Sequence, residues 1–406
     1  MNDTASAPPL IFDDGSQEPG LHALIIGVSA YSHLLGGSSQ PANELMLAVS
    51  KELGQLEGPA QAARDLADFL LARRCKLTRP LRTLRFLASP CPNEASRPDL
   101  QNVTPATFGE IARAMKAWRT DAARSNDEVA LFYFSGHGTR LTWNDALLLP
   151  HDFLSGSKVL DKVFDVTGLR GGMAVSETAP QIAQTQYYFI DACQDDRENF
   201  KKLDASDVVP VVLEVDPKGA DDRDTPIFFA ARSGRTTRTA AGKNTTRFGG
   251  RLLECLKGGG ADYINDKWVV TINTLAGALD KWSVYENLSS TPTEDSFNTG
   301  GNYGHGDTIV HEIDERPLVP CTFRFGSTND IKNLAILLKN EIAGDLRIPD
   351  LKNPHSAEIA AAYYVIAPDP SGLFSKREFP IRPPFKDVTI AGEKFTDVTS
   401  ARGDSP

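Results

Sequence analysis

The sequence predicts an α/β fold: a three-layer sandwich with a mostly parallel central sheet, followed by a small C-terminal accessory domain. Three observations predict it. Short, continuous apolar runs rich in β-branched and aromatic residues recur along the chain, as strands buried on both faces do. Segments with helical spacing alternate with those runs, the pattern of a parallel sheet covered by helices on both sides. Two of the runs end in chemically capable residues, and open parallel sheets bind ligands outside the carboxyl ends of their strands.

The elements follow in order. Residues 1–20 read as a loose leader. "LHALIIGVSAY" (21–31) is an apolar strand that breaks at Gly27, and a Gly/Ser/Gln/Pro loop follows it. "GPAQAARDLADFLLARR" (58–74) opens with Gly-Pro and repeats Ala63, Leu66, Phe69 and Leu70 at helical spacing. "LRTLRFLAS" (81–89) is a second strand, and "TPATFGEIARAMKAWRTDAA" (104–123) a helix opened by Thr-Pro. "EVALFYFSGHG" (128–138), "QYYFIDAC" (186–193) and "TPIFFAARS" (225–233) are further strands. "RFGGRLLECLKGG" (247–259) and "TINTLAGALDKW" (271–282) are helices. From about residue 286 the texture turns to Ser, Thr, Asn and Gly. Residues 316–406 read as an accessory domain of short strands, with one helix-like segment, "DIKNLAILLKNEI" (330–342).

Composition narrows the class. The 406 residues are 41% hydrophobic and 24% charged, ordinary for a globular protein. A net charge of −10 argues against nucleic acid as the main partner, because phosphate binding wants clustered Lys and Arg. The first 20 residues lack a basic and apolar signal, and no apolar run approaches the roughly 18 residues of a membrane helix. A cytoplasmic protein with no membrane partner is the expectation. The five cysteines, Cys75, Cys91, Cys193, Cys255 and Cys321, are scattered and include no C-x-x-C pair, so neither a disulfide framework nor a zinc site is expected. His305 and His311 have no partner at ligand spacing.

One cysteine stands apart. Cys193 ends a strand and is preceded by Asp191, and another strand delivers Ser135, Gly136, His137 and Gly138 56 residues before it. If the two strands are neighbours, His137 and Cys193 face each other across the lip of the sheet. An imidazole there can take the thiol's proton and raise the population of the nucleophilic thiolate. The glycines flanking His137 permit a tight turn and leave the Gly138 N–H uncovered. That N–H and the Cys193 N–H can hold a developing oxyanion, each such donor being worth about 3–4 kcal/mol in well-studied hydrolases.

"FYFSGHG" followed by "FIDACQD" resembles the catalytic pair of the caspase–metacaspase family of cysteine peptidases. The likeness extends to "ALIIGVSAY", "GPAQAARDLADFL", "IFFAARSG" and "FGGRLLECL", and so covers roughly residues 20–315. The resemblance implies a caspase-like sandwich, a peptidase domain over 21–315, Cys193 as nucleophile, His137 as general acid/base, and the Gly138 and Cys193 amides as oxyanion hole. In the metacaspase and bacterial branch, the Asp two residues before the cysteine and the Ser before Gly-His line the S1 pocket for Arg or Lys. Asp191 and Ser135 hold those positions. The pattern departs elsewhere. Gln194, Asp195 and Asp196 follow the cysteine where His-Ser-Gly is common, and no acid precedes Asp65 in the first helix, where a second S1 aspartate is common. The resemblance implies a protein substrate and no cofactor; calcium as an activator has no site that can be named in the sequence. The accessory domain is a place for an activating partner. Arg232, Arg235 and Arg238 lie on a loop that in this family borders the cleft. The long charged stretch 195–224 matches the linker often cut on activation, with Arg197, Lys201, Lys202, Lys218 and Arg223 as available sites, or else is an ordered insertion that is never cut. Two other readings of the same residues stand beside this one: an inactive scaffold that binds partners, and a separase-related peptidase of the same clan.

Overall fold

A computed structural model describes residues 9–74, 76–140, 146–193, 198–200, 203, 208, 212–213, 221–230, 245–289, 300–302, 307–327 and 331–397. The chain divides into two compact units, one comprising residues 1–253 with 286–306, the other 254–285 with 307–406. Among the described residues, no helix is long and apolar enough to cross a membrane.

The first unit is built on one sheet of strands β1 (Leu10–Asp13), β2 (Leu21–Val28), β3 (Leu81–Ser89), β4 (Val129–Gly136), β5 (Thr185–Ala192), β6 (Ile227–Phe229) and β7 (Gly300–Asn302). Their spatial order is β1-β3-β2-β4-β5-β6-β7. The inner strands run parallel, and β1 and β7 close the two edges antiparallel. β2, β4 and most of β5 are buried at every residue, as the continuous apolar runs require of strands covered on both faces. Leu10–Asp13 lies inside the stretch read as a loose leader and is instead a strand: the short Leu-Ile-Phe run pairs with Thr83–Arg85 along the exposed edge of β3.

Helices cover both faces. Helix α2 (Pro59–Ala72) packs its buried stripe, Ala60, Ala63, Ala67 and Leu70, against one face of the sheet. Gly27 makes that approach possible. A Cβ there would lie 2.7 Å from Ala60 Cα and 2.8 Å from Ala63 Cβ. The N-terminus of α2 is satisfied by the buried Glu94, whose Oε1 accepts from Gly58 N at 2.9 Å and Gln61 N at 3.2 Å. Helix α3 (Phe108–Ala122) covers the other face, with Trp118 set 6.0 Å from Phe132 and 6.5 Å from Tyr188. Its cap is Thr107, not the Thr-Pro pair upstream, and Thr107 Oγ1 accepts from Glu110 N at 3.4 Å. One helix lies where the sequence reads as a loop. α1 (Glu44–Glu52) is capped by Asn43, which accepts from Met46 N at 2.9 Å, and buries Met46 and Val49.

The second unit holds a three-stranded sheet (Ala261–Ile264, Lys267–Thr271, Ile309–Ile313) and two four-stranded sheets that share one core including Val319, Phe323, Ile336, Ile366, Phe379 and Ile390. "DIKNLAILLKNEI", expected to be helical, contains the strand Ala335–Lys339. Ile336 and Leu338 point inward and Leu337 is half-buried, a period-2 burial that a short apolar run permits as readily as a helix.

Because Gly27 has no room for a side chain, Gly27→Ala should lower stability by about 1–3 kcal/mol through overpacking. Chemical unfolding checks this, and an unchanged midpoint would mean that α2 does not need its close contact with β2.

Candidate active site

Strands β4 and β5 pair in strict parallel register: Tyr133 opposite Phe189, Phe134 opposite Ile190, Ser135 opposite Asp191 and Gly136 opposite Ala192. The next residues along the two strands are His137 and Cys193, so the pairing brings both to the carboxyl end of the sheet, one residue beyond its last pair. Both are buried, His137 at 6% and Cys193 at 7% exposure. Gly138 closes the gap between them. A Cβ at this position would lie 2.7 Å from the Cys193 carbonyl oxygen and 2.9 Å from Ala192 Cβ, so the His137 turn can settle against the Cys193 strand only without a side chain.

Groups outside these strands hold His137. The Tyr31 hydroxyl accepts its backbone N–H at 2.6 Å, and the Tyr31 ring lies 4.9 Å from the imidazole at 47°. On the ring itself, Nε2 is 2.8 Å from the Gly54 carbonyl oxygen. A carbonyl can only accept, so Nε2 carries the hydrogen, and in the neutral ring Nδ1 carries the lone pair. Burial, with a smaller contribution from the neighbouring Cys193, pushes the Tyr31 hydroxyl well above its ordinary range, so this phenol stays protonated.

Asp191 sits beneath this pair at 2% exposure. Its Oδ2 accepts from Tyr133 Oη at 3.0 Å, Ser135 Oγ at 2.9 Å and Thr246 Oγ1. Oδ1 is buried and has no hydrogen-bond partner. Burial raises the carboxyl above its usual range, and the Thr246, Ser135 and Tyr133 hydroxyls and the Gly249 amide offset part of that rise. Thr246 is positioned by the start of helix α4 (Arg247–Glu254), where Gly249 N donates to its Oγ1 at 3.1 Å. Gly249 has no room for a Cβ either, which would come within 2.7 Å of Ala62 Cβ, Thr246 Oγ1 and Tyr133 Oη.

Other sequence expectations fall elsewhere. Asp65 accepts from Gln61 Nε2 at 2.5 Å and lies 3.6 Å from Arg97, so its charge is engaged on the surface of α2. Arg232, Arg235 and Arg238 lie outside the described residues, as do Arg197, Lys201, Lys202 and Lys218. Arg223 is described, and it is a poor cut site. Its side chain is 5% exposed, bonded to Asp221, the Arg170 carbonyl and Gln186, and the neighbouring Asp224 bonds through its backbone to Gln184 and Gln186. Two further anchors of this stretch are buried: Phe200 stacks 6.3 Å from Phe153, and Leu213 fills the space over Gly172. Among the described residues no cluster of His, Cys, Asp and Glu is arranged to hold a metal ion; His305 is outside them, and His311 lies 2.5 Å from the Leu256 carbonyl oxygen.

Sequence reasoning missed Tyr31, Gly54 and Thr246. Gly54 acts through a backbone carbonyl, which no residue type betrays. Tyr31 and Thr246 were within quoted segments or beside them, but only the sheet order brings them to His137 and Asp191.

A family model for the caspase domain, peptidase family C14, matches residues 21–276. The chain therefore belongs to the caspase-domain family, and its first unit has the caspase-like α/β fold. Among solved structures, it is similar to the crystal structure of caspase-1 from Spodoptera frugiperda, with 14% identity and a TM-score of 0.43 over 71% of this chain and 89% of that one. It is also similar to a structure of pro-sf-caspase-1, with 15% identity and a TM-score of 0.38 over 74% of this chain and 93% of that one. No curated protein matches the chain.

The raised Asp191 carboxyl has a consequence for stability. The folded state binds this proton more tightly than the unfolded state, where the ordinary value is 3.8. Its contribution is thus complete below that value and is lost as pH rises through the raised folded value. Asp191→Asn removes the titration, so its melting temperature relative to wild type should rise from acid to neutral pH. A constant difference across that range would show that Asp191 is not held under a desolvation penalty.

Proposed function

We propose that the chain is a cysteine endopeptidase that cleaves protein substrates after Arg or Lys, with Cys193 as nucleophile and His137 as general acid/base. The observation that supports this reading is the β4–β5 register, which runs up to His137 and Cys193, with the Gly54 carbonyl at Nε2 leaving Nδ1 to serve as the base.

The chemistry follows from those positions. His137 Nδ1 takes the Cys193 proton, and the thiolate attacks the scissile carbonyl carbon. The carbonyl π-electrons move to oxygen, and the oxyanion is held by the Gly138 and Cys193 amides. Collapse breaks the C–N bond, and Nδ1–H gives its proton to the leaving amine. Water, deprotonated by the same nitrogen, then hydrolyses the thioester and returns the thiol. Gly54 keeps the ring in one tautomer throughout, as the orienting member of such a constellation must.

Asp191 supports a basic P1. It is a carboxylate with one oxygen occupied by three hydroxyls and the other buried without a partner. Such a group is disfavoured as an anion until a cation arrives, and an Arg or Lys side chain supplies both the charge and the missing donors. Ser135 lines the same face, fixing Asp191 through its hydroxyl.

A fluorogenic peptide panel varying P1 tests the proposal. Wild type should cleave after Arg or Lys; Cys193→Ala should be inert, and His137→Ala should lose several orders of magnitude. Asp191→Asn should lower kcat/KM for basic P1 far more than for neutral P1. Full turnover by Cys193→Ala would end the peptidase reading. A chain that binds partners but cleaves nothing in any condition would favour the scaffold, and a preference for acidic P1 would remove Asp191 from specificity.

A further inference from the structure

The Tyr31 hydroxyl and the Gly54 carbonyl both grip His137, and they come from opposite sides of the loop that runs from β2 through α1. One side chain ties these two stretches together. Gln55, next in the chain to Gly54, accepts the Tyr31 backbone N–H on Oε1 at 2.7 Å. Its Nε2 donates to the Tyr31 carbonyl at 3.0 Å and to the Leu35 carbonyl at 3.1 Å. The amide thus acts as a one-residue strand partner for Tyr31, taking both of its backbone groups at once. Around it, Leu35 and Gly54 form a parallel bridge, and Leu56 N donates to Ser29 O at 2.8 Å. Gly36, at φ +82°, passes 3.5 Å from Gln55 Cγ by its missing Cβ.

The residue as a whole is exposed, which makes a core-packing role untenable. A glutamine at a surface position gains little from burial. What it does have is both functions of its amide committed to main-chain atoms. Those atoms belong to Tyr31 and to the residue that bridges Gly54. Resting on the peptidase reading of His137 and Cys193, we infer that Gln55 is the positioning residue of the site: it fixes the spacing between the Tyr31 backbone and Gly54, and through them the tautomer and tilt of the His137 ring. Without the clamp, the 31–37 loop and the Gly54 carbonyl move independently. The Nε2–H to Gly54 bond then loosens, Nδ1 no longer faces Cys193 in one orientation, and thiolate formation falls. Gln55 touches neither the thiol nor the ring, so its effect must appear in the acid–base behaviour of Cys193.

The test is the pH profile of Cys193 alkylation by iodoacetamide, read by peptide mass mapping, for wild type, Gln55→Ala, Gln55→Glu and His137→Ala. It needs no knowledge of the natural substrate. Wild type should react well below the ordinary thiol range near about 8.5, and His137→Ala should define the unpaired thiol. Gln55→Ala should label about tenfold or more slowly than wild type near about pH 6, its profile moved toward that of His137→Ala, since a small misplacement at a catalytic group is costly. Its melting temperature should stay close to wild type. Gln55→Glu keeps an acceptor for Tyr31 N–H but sets a carboxylate against two carbonyl oxygens, so it should lose at least as much at neutral pH. With a peptide substrate, the loss should fall on kcat rather than KM. Should Gln55→Ala unfold, its thiols will label together, and Gln55→Glu then carries the comparison. A Gln55 variant whose Cys193 profile superimposes on wild type overturns the clamp and leaves the peptidase reading intact. A wild type that itself matches His137→Ala overturns both.

Discussion

The parallel pairing of β4 with β5 is the constraint on which the site depends. Side chains along a strand alternate between faces, so a slip of one residue would turn Asp191 away from Ser135 and set Cys193 against Gly136. Register here is enforced by burial. Phe132, Phe134, Tyr188 and Ile190 all enter the core on the α3 side, and Tyr133 and Asp191 meet on the α2 side. Shifting one strand would bury Asp191 among the apolar groups under α3. The chemistry at the end of the strands is therefore fixed by packing a full strand length below it.

Close approach is the second condition, and glycine supplies it at defined places. Gly27 lets α2 settle on β2, Gly249 lets α4 reach Tyr133 and bring Thr246 to Asp191, and Gly138 lets the His137 turn close on Cys193. Each is a position where a Cβ would meet its neighbours at under 3 Å. Between them these contacts produce a carboxylate sealed under a thiol–imidazole pair. Sealing has opposite effects on the two levels. It opposes the charge on Asp191, which lowers stability, and it strengthens the electrostatic interactions that the carboxyl makes with its neighbours.

Much of this was legible in the sequence, and for definite reasons. The inner strands are continuous apolar runs with turns on both sides, so β2 to β6 could be read directly, and the Ser-Gly-His-Gly and Asp-Ala-Cys endings marked the lip of the sheet. Helix α1 escaped because its signal, one Asn cap and two buried apolar side chains in nine residues, is drowned by the polar residues around it. Leu10–Asp13 escaped because four residues carry too little periodicity, and 335–339 was misread because a short apolar run fits either period. The Gly54 carbonyl was beyond reach altogether: its part is played by a backbone atom more than eighty residues from His137 and depends on a loop that only the folded chain defines.

The account stands or falls on Cys193 being a nucleophile aimed at the carbonyl of a basic residue. The most direct measurement is intact and tandem mass spectrometry of the native protein after exposure to a peptidyl chloromethyl ketone ending in Arg, beside the same peptide ending in Asp. The account predicts a single adduct, on Cys193, formed much faster by the Arg reagent and absent when His137 is replaced by Ala. No adduct, or one distributed over Cys91, Cys255 and Cys321 without regard to the P1 residue, would contradict it.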